Sequence, residues 1–356
     1  MTTINRQVSV ALEEKSGEFA KEVVLRHFAL HPELDLRYGK AGRDHCLRDA
    51  AFHLSYLAQA VGADSRELFN DYAAWAKVML ASRGVPGEDL AGQLSCIREI
   101  LAEQLPPEFH RLAFSYLDEA LTLLPGVPEE PPSFMAPDTP LAALATQYLR
   151  SLLDGERHVA SRLILDAVAA GVGPREIYLQ VFQPSQQEIG RLWQLNRISV
   201  AQEHYCTAAT QLIMSQLYPH IFANREKFGT LVAAGVAGDM HEIGARMVSD
   251  FFELAGWRTH YLGTNVPVAS LIMTLVQQRA GLLAISATLT SNIRTVEALI
   301  TAVRRTPACR GVKILVGGYP FNIAPDLWKL VGGDGFARDA QAAVAVGEQL
   351  ADAQIR

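Results

Sequence analysis

An aspartate and a histidine two residues apart, Asp239 and His241, lie in the segment 238–244, whose sequence is Gly-Asp-Met-His-Glu-Ile-Gly. An apolar run over 230–236 precedes this segment and a helical pattern over 245–255 follows it, which predicts a tight turn between a strand and a helix. At such a turn a histidine lies beyond the carboxyl end of a strand, where open parallel sheets bind ligands. Asp239 can accept the proton of one ring nitrogen, which fixes the tautomer and makes the other nitrogen a better metal donor.

A lone histidine in a turn is more often structural than functional, so this interpretation needs further support. Two further segments of the sequence supply it. Ser286-Ala287-Thr288-Leu289 follows the apolar run 282–285, and Gly317-Gly318 follows the strand-like run 312–316. All three segments therefore come at the ends of successive predicted strands. Because the carboxyl ends of parallel strands meet at one edge of a sheet, we predict a ligand site at that edge.

The pattern Asp-x-His-x-x-Gly, then Ser-x-Thr/Leu, then Gly-Gly, at these separations resembles the cobalamin-binding domain of methionine synthases, corrinoid carriers and cobalamin photoreceptors. The resemblance implies that His241 replaces the cofactor's benzimidazole as the lower axial ligand of cobalt. It also implies that the displaced nucleotide tail enters the sheet, where Ser286 hydrogen-bonds it and the two glycines leave room for it. The residues that it assigns to cofactor binding here are Asp239, Met240, Glu242, Ile243, Gly244, Ser286, Thr288, Leu289, Gly317 and Gly318.

A second group of residues lies ahead of this domain, where Trp193 is followed ten residues later by Glu203 and His204. Taken alone, Trp193 is a core residue and the pair lies on a helix face. Next to a cobalamin domain, the arrangement is similar to the cap of adenosylcobalamin photoreceptors, which implies that Trp193 covers the upper axial group and that Glu203 and His204 approach the adenosyl moiety. The chain departs from the carotenoid-gene repressors of that family at Gln194, where they have a histidine, so His204 or water would take the cobalt site after photolysis.

The elements that must position these residues divide the chain into four parts. Residues 125–140 hold six prolines and are predicted to be an extended, semi-rigid linker. Strand and helix patterns alternate after 228, which predicts a doubly wound parallel sheet. The fold class is therefore multidomain. Its parts are an all-α, globin-like N-terminal domain (1–124), the linker (125–140), a four-helix bundle cap (141–227) and an α/β Rossmann-like domain (228–356).

The segment 37–45 is dense in cations, and aromatic residues lie on the predicted helices that follow it. An arginine side chain can form two parallel hydrogen bonds with a carboxylate, and aromatic rings stack on a flat conjugated ligand. The cluster therefore fits a tetrapyrrole with propionate groups. The alternative is an ordinary core beside a solvated loop. His53 shares a helix face with Ala50 and Leu57, which favours a hydrogen-bonded core histidine. The candidate pocket residues are Arg37, Tyr38, Arg43, His45, His53, Tyr56, Tyr72 and Trp75.

The order of the domains resembles a photocobilin, in which a helical, globin-like domain binds biliverdin beside a light-sensitive cobalamin domain. The resemblance implies a light sensor rather than an enzyme, with adenosylcobalamin and biliverdin as cofactors. Light would break the cobalt–carbon bond and the cap would then move relative to the sheet. The implied partners are further copies of the chain, in a homo-oligomer with light-dependent assembly, and a downstream signalling protein.

Two alternatives stay open. The first is a corrinoid carrier for a methyltransferase, whose cap must swing away from the cobalt; Trp193 and the Glu203-His204 pair favour adenosyl over methyl. The second is a regulator that senses heme or redox state through the N-terminal helices and depends on His45 or His53.

The composition argues against several classes of protein. The formal net charge of −6, without a basic stripe, is not that of a nucleic-acid surface. The sequence shows neither a bilayer-spanning apolar stretch nor the apolar core of a signal peptide, so we expect no membrane association and a cytoplasmic location. The four cysteines are scattered without paired spacing, which predicts reduced thiols. Among them, Cys309 is expected to be a plain surface thiol.

Overall fold

The computed structural model describes residues 3–222 and 229–355. The chain forms two compact units. The first comprises Met1–Glu129, Leu289–Arg294 and Ile323–Leu330, and the second comprises Glu130–Thr288, Thr295–Asn322 and Val331–Arg356. The division after Glu129 falls inside the proline-rich segment that the sequence predicts as a linker. The predicted boundary at residues 227 and 228 lies outside the described residues.

The N-terminal part of the first unit is helical, as predicted. Its helices are α1 (Thr3–Glu14), α2 (Ser16–Leu30), α3 (Glu33–Ala63), α4 (Arg66–Ala81), α5 (Gly87–Gln104) and α6 (Pro107–Leu123). The apolar stripe of α3 is buried, since Ala50, Leu54, Leu57 and Val61 are all 0% exposed. The chain breaks between its first two helices, since α1 ends at Glu14 and α2 starts at Ser16.

The cationic segment 37–45 is helical rather than a loop. It lies inside α3, which is interrupted only at Gly39, where φ is 59° and ψ is −163°. This conformation is open to glycine because it has no Cβ. The helix ends at Asp64, which has a left-handed φ of 54°. Asn5 donates hydrogen bonds of 3.0 Å to Asp64 Oδ1 and to the carbonyl of Val61, and so satisfies this helix end.

The helical cap belongs to the second unit. Its helices are α7 (Ala142–Leu153), α8 (Arg157–Ala169), α9 (Pro174–Ile177), α10 (Gln183–Gln194), α11 (Val200–Gln216) and α12 (Tyr218–Ile221). A π-helical turn, Tyr178–Phe182, joins α9 to α10, so the two form one continuous helix. Pro184 explains this turn, because proline has no N–H to donate to the carbonyl four residues earlier. The four predicted cap helices are therefore present, with a π turn in the third.

The rest of the second unit is built on a parallel sheet of five strands in the order β2-β1-β3-β4-β5. The strands are β1 (Thr230–Gly235), β2 (Arg258–Tyr261), β3 (Leu282–Ser286), β4 (Lys313–Gly317) and β5 (Gly335–Phe336). The helices are α13 (Ile243–Leu254), α14 (Val268–Gln277), α15 (Ile293–Arg305), α16 (Tyr319–Ile323), α17 (Leu327–Val331) and α18 (Ala340–Ile355). This is the predicted Rossmann-like arrangement. The sequence pattern did not predict β5, whose two residues are too short for a periodic signal.

Alternating strand residues pack against α13 and α18. Leu231, Ala233, Leu282, Ala284 and Leu315 share one buried cluster with aromatic residues of α13. Strands that are covered in this way consist of short, continuous runs of apolar residues. These runs are the pattern from which the sequence predicts the strands.

All four cysteines are free thiols. Cys309, which the sequence predicts at the surface, is 0% exposed, so that expectation is wrong. Burial raises the pKa of its thiol above the ordinary value. Among the described residues, no helix is both long and apolar enough to cross a membrane.

Candidate functional site

The loop between β1 and α13 holds Asp239 and His241. Gly238 has a φ of 80°, which allows the chain to turn sharply after the strand. Asp239 is 1% exposed, and its Oδ1 lies 2.7 Å from His241 Nδ1 and accepts the backbone N–H of His241 at 3.1 Å. Its Oδ2 accepts the backbone N–H of Thr288, beyond β3, at 2.6 Å. The predicted contact between this aspartate and the histidine ring is therefore present.

The same contacts control the charges of the pair. The hydrogen bond to Asp239 raises the pKa of His241, and this effect exceeds the opposing effect of burial. Burial raises the pKa of Asp239, but the hydrogen bonds from His241 and from the Thr288 N–H outweigh it and leave that pKa below the ordinary value. Asp239 is thus held as a carboxylate. It accepts a hydrogen bond from the Nδ1–H group of His241, which leaves Nε2 as the ring nitrogen that can bind a metal.

The three predicted segments lie at one edge of the sheet. In the strand register Ser286 is paired with Gly235 on one side and with Gly317 on the other. Gly318 has a φ of 105°, and a Cβ there would lie 2.0 Å from the carbonyl oxygen of Ala287. The loop after β3 therefore excludes a side chain at position 318 by itself, whatever ligand passes beside it.

These residues line a cavity of about 620 Å³, within the range of cofactor sites. Most of the predicted cofactor-binding residues line it. They are Trp193, Glu203, His204, Met240, His241, Glu242, Ile243, Gly244, Ser286, Thr288, Gly317 and Gly318. Asp239 is buried behind His241, and Leu289, which is half-buried, belongs to the first unit.

Helices α10 and α11 contribute one wall of the cavity. Ser199 starts α11 by accepting the N–H of Gln202 at 3.2 Å, and this helix then carries Glu203 and His204. His204 Nδ1 lies 2.5 Å from Glu203 Oε2, and Thr207 donates to Glu203 Oε1 at 3.1 Å. The wall therefore presents a carboxylate that is already hydrogen-bonded on both oxygens.

Sequence reasoning missed most of the α10 wall. Besides Trp193, this helix lines the cavity with Gln183, Gln186, Gln187 and Gly190. These positions recur at intervals of three and four, which places them on one face of a helix. The spacing back from Trp193 was the signal that could have identified them.

The start of α13 is bonded to the cap. Gln211 of α11 donates to the Glu242 carboxylate at 2.9 Å. Arg246 donates to the Gln211 carbonyl at 3.1 Å, to Ser215 Oγ at 2.8 Å and to the Tyr218 hydroxyl at 3.1 Å. The C-terminal half of α11 is thus fastened beside the loop that carries the histidine.

The cationic candidates in the first unit are engaged with carboxylates of that unit. Arg37 pairs with Asp89 at 3.0 Å, and the Tyr38 hydroxyl donates to the same carboxylate at 2.6 Å. Arg43 pairs with Asp35. His45 is exposed on α3. The four residues therefore belong to surface ion pairs or to solvent-facing positions of the helix.

The aromatic candidates surround His53, which is 2% exposed. Its Nδ1 lies 2.7 Å from the Tyr72 hydroxyl and its Nε2 lies 3.0 Å from Gln93 Oε1. Tyr56 stacks on Tyr72 with 3.8 Å between ring centroids, while Trp75 is 38% exposed. Burial lowers the pKa of His53 to about 4, so the ring is neutral at physiological pH. His53 is therefore a hydrogen-bonded core histidine, the interpretation that its helix face favours.

The residues around the cavity fit a corrinoid. Such a group needs one axial donor, and His241 has a ring nitrogen available because Asp239 holds the other. It also needs space for a tail beside the sheet. Small residues line the cavity there, namely Ala233, Ala284, Gly317, Ala337, Ala340 and Ala343.

Comparison with known proteins agrees with this fit. A model of the B12 binding domain matches residues 229–345, and a second B12 binding domain model matches residues 144–218. Dimethylamine corrinoid protein 3 of Methanosarcina acetivorans is 28% identical over 192 residues, which are 52% of this chain and 89% of the relative. Trimethylamine corrinoid protein 1 of the same organism is 23% identical over 193 residues, covering 53% and 88%.

Among solved structures, the monomethylamine corrinoid protein of Methanosarcina barkeri aligns with a TM-score of 0.53 at 21% identity. The alignment covers 59% of this chain and 99% of that one, and it shows that the two share a fold. The site, its geometry and the two matched domains agree: the chain is a cobalamin-binding protein.

Proposed function

We propose that the chain is a corrinoid carrier protein that serves a methyltransferase system. The observation that carries the proposal is the Asp239–His241 pair at the edge of a cavity, in a chain whose relatives are named as methylamine corrinoid proteins. Because those relatives are named for different amines, the proposed donor is a class, a small methylated compound that a partner enzyme demethylates.

In this proposal His241 binds cobalt through Nε2 and Asp239 keeps the proton on Nδ1. The bound corrinoid supplies a cobalt centre that accepts and gives up methyl groups. Asp239 also accepts the Thr288 N–H, so the histidine that would hold the corrinoid is oriented by groups from two strand ends at once. Ser286, Gly317 and Gly318 would hold the tail of the corrinoid at the sheet edge.

The cap residues would exclude water from a corrinoid held by His241. Trp193 contributes the largest side chain of that wall, and Glu203 and His204 contribute its polar part. A partner enzyme reaches the cobalt only when this wall moves. The bonds from Glu242 and Arg246 to α11 hold the other end of the cap in place, so we infer that the wall opens at the Trp193 end.

The test loads the protein with methylcobalamin and follows its absorption spectrum through gel filtration. The intact chain retains the corrinoid, whereas His241→Gly loses it and added imidazole restores it. His158→Gly, an exposed histidine of α8, serves as the matched control and retains the corrinoid. Failure of the intact chain to retain methylcobalamin, or equal retention by His241→Gly without imidazole, contradicts the proposal.

A second candidate function is light sensing through adenosylcobalamin. It is favoured by the presence of Trp193, Glu203 and His204 in the same cavity as His241. In that function biliverdin is a second chromophore, bound by a globin-like N-terminal domain, and the oligomeric state changes on illumination. Gel filtration of adenosylcobalamin-loaded protein in the dark and after green light separates the two functions, because a carrier keeps one oligomeric state. A red-region absorption band on adding biliverdin tests the N-terminal part.

A further inference from the structure

Gln59 is a buried polar residue in an apolar stretch of α3. It is 4% exposed, and its neighbours Ala58 and Ala60 are 0% exposed. A buried amide without hydrogen-bond partners destabilises a protein, so buried glutamines are normally bonded at both ends of the amide. The partners of Gln59 therefore indicate why a polar side chain is placed there.

Both ends of the Gln59 amide are bonded within the first unit. Its Nε2 donates to Glu13 Oε1 of α1, and its Oε1 accepts the backbone N–H of Arg294 at 3.1 Å. The other oxygen of Glu13 pairs with the Arg294 guanidinium. We call Glu13, Gln59 and Arg294 the Gln59 cluster. The cluster joins distant parts of the chain, since Glu13 and Arg294 are 281 positions apart.

The backbone hydrogen bond of the Gln59 cluster falls on the start of α15. This helix begins at Ile293, so the N–H of Arg294 is one of the first N–H groups, which have no acceptor within the helix. Gln59 supplies that acceptor from α3. The bond therefore holds the chain in place at the residues where α15 starts.

The segment that the Gln59 cluster holds is continuous with the candidate cofactor site. The chain passes from the second unit into the first directly after Thr288. The Thr288 N–H donates to Asp239 Oδ2 at 2.6 Å, and Asp239 Oδ1 lies 2.7 Å from His241 Nδ1. The segment 288–294 is therefore bonded at its first residue to the carboxylate that orients His241, and at its last residue to Gln59.

We propose that Gln59 is a positioning residue for the cobalt-binding histidine, acting through the segment 288–294. Without the Gln59 cluster this segment would lose the bond at its last residue. The hydrogen bond between Thr288 and Asp239 would then be made less often, and the imidazole of His241 would be oriented less well. The inference rests on the proposed role of His241 as the cobalt ligand and on no step of methyl transfer. It gives the N-terminal helices a part in setting the coordination of cobalt.

The experiment compares the intact chain with Gln59→Leu, which keeps a side chain of similar size and removes both hydrogen bonds. Each protein is loaded with cobalamin, reduced to the cob(II) state and examined by electron paramagnetic resonance, in which an axial nitrogen splits each cobalt line into three. We expect Gln59→Leu to show a smaller fraction of nitrogen-split signal. It should also bind hydroxocobalamin about three- to tenfold more weakly, which is less than the loss of a direct partner of the histidine causes. In the cofactor-free variant, amide hydrogen exchange should be faster within 288–294.

Gln93→Leu is the matched control for the stability of the N-terminal helices. Gln93 is a 5% exposed glutamine of α5 in the same unit, and it bonds His53 and the Cys46 carbonyl. Its replacement should destabilise these helices as Gln59→Leu does, because each variant loses the two hydrogen bonds of a buried amide. It should leave the nitrogen splitting and the hydroxocobalamin affinity unchanged.

A double variant, Gln59→Glu with Glu13→Gln, tests the cluster itself. It exchanges the two side chains and so keeps the net charge and the same set of donors and acceptors around Arg294. The nitrogen splitting and the affinity should therefore return toward those of the intact chain.

Two results overturn the inference. If Gln59→Leu keeps the nitrogen splitting and the affinity of the intact chain, the cluster does not position the histidine. If Gln93→Leu lowers both as much as Gln59→Leu does, Gln59 contributes only to the stability of the N-terminal helices. Either result leaves His241 as the cobalt ligand, whereas an intact chain without nitrogen splitting overturns that role and the inference together.

Discussion

Asp239 Oδ1 lies 2.7 Å from His241 Nδ1, and the other oxygen of the same carboxylate accepts the Thr288 N–H at 2.6 Å. One buried side chain thus orients the ring and joins the loops after β1 and β3. We expect Asp239→Asn to weaken hydroxocobalamin binding about 10–100-fold, because groups that orient a metal-binding histidine have effects of this size. A spectroscopic titration measures the change.

The control for Asp239→Asn is Asp326→Asn, which removes an exposed carboxylate paired only at the surface with Lys329. It should bind hydroxocobalamin like the intact chain. An Asp239→Asn protein with unchanged affinity and spectrum would show that the histidine is positioned by other groups.

Asp250 of α13 accepts the hydroxyl of Tyr178 at 2.8 Å and is 5% exposed. Burial raises its pKa to about 6, although the Tyr178 hydrogen bond and Arg246 act in the opposite direction. Between pH 3.8 and 6 the folded chain therefore binds more protons than the unfolded chain. The free energy of unfolding consequently falls as the pH rises through that window. Asp250→Asn should be more stable at pH 7.5 by about 1–3 kcal/mol.

Urea unfolding from pH 4 to pH 8 checks this prediction. The asparagine oxygen still accepts the Tyr178 hydroxyl, so the variant should retain the packing. It should lose only the pH dependence of stability that comes from the Asp250 carboxyl. Asp154→Asn, an exposed carboxylate of the same unit, is the comparison and should shift stability by less than about 0.5 kcal/mol. A lower stability of Asp250→Asn at pH 7.5 would count against the assigned pKa.

His53 should produce a pH dependence of opposite sign. Its pKa is lowered by burial from 6.5 to about 4, so the unfolded chain binds more protons between these values. The stability due to the neutral ring is therefore complete above pH 6.5 and is lost as pH falls toward 4, with a limit of about 3 kcal/mol. His53→Gln, which keeps one side-chain hydrogen bond, should remove this slope in urea unfolding monitored across pH 4–7. An unchanged slope would show that His53 titrates normally.

Arg191 fastens the proline-rich segment to α10. Its side chain is 6% exposed and binds Glu188, which is 7% exposed, at 2.8 Å, and it also donates to Glu130 and to the Pro131 carbonyl at 3.0 Å. Arg191→Met leaves the Glu188 carboxylate buried without its partner, so we expect a loss of about 3–5 kcal/mol. Urea unfolding gives the energy, and faster proteolytic cleavage within 125–140 reports release of the segment.

Arg197→Met is the matched control for Arg191, because Arg197 binds the same Glu130 but is 49% exposed. Surface ion pairs contribute about 0–1 kcal/mol, so this variant should unfold almost like the intact chain. Replacing Glu188 by glutamine in the Arg191→Met background should restore part of the loss. If Arg191→Met and Arg197→Met behave alike, the buried pair does not hold the segment.

Local patterns in the sequence determined the elements and the edge of the sheet at which the site lies. The short apolar runs, the glycine turns and the intervening helices were readable because each depends on residues close in the chain. The same is true of Asp239 and His241, whose contact spans two residues, and of the helix stripe that buries His53. The order of successive strands then brought Ser286 and Gly317 to the edge that holds His241.

Only the tertiary structure decided which distant side chains meet. The Asp239–Thr288 hydrogen bond joins residues 49 apart, and the Tyr178–Asp250 bond joins residues 72 apart. The burial of Cys309 and the position of Gly190 on the cavity wall also depend on what packs beside them, which local periodicity does not encode. Sequence periodicity tells which face of a helix is apolar, whereas the cavity beside α10 and α11 exists because the cap helices and the sheet meet there without filling the space between them.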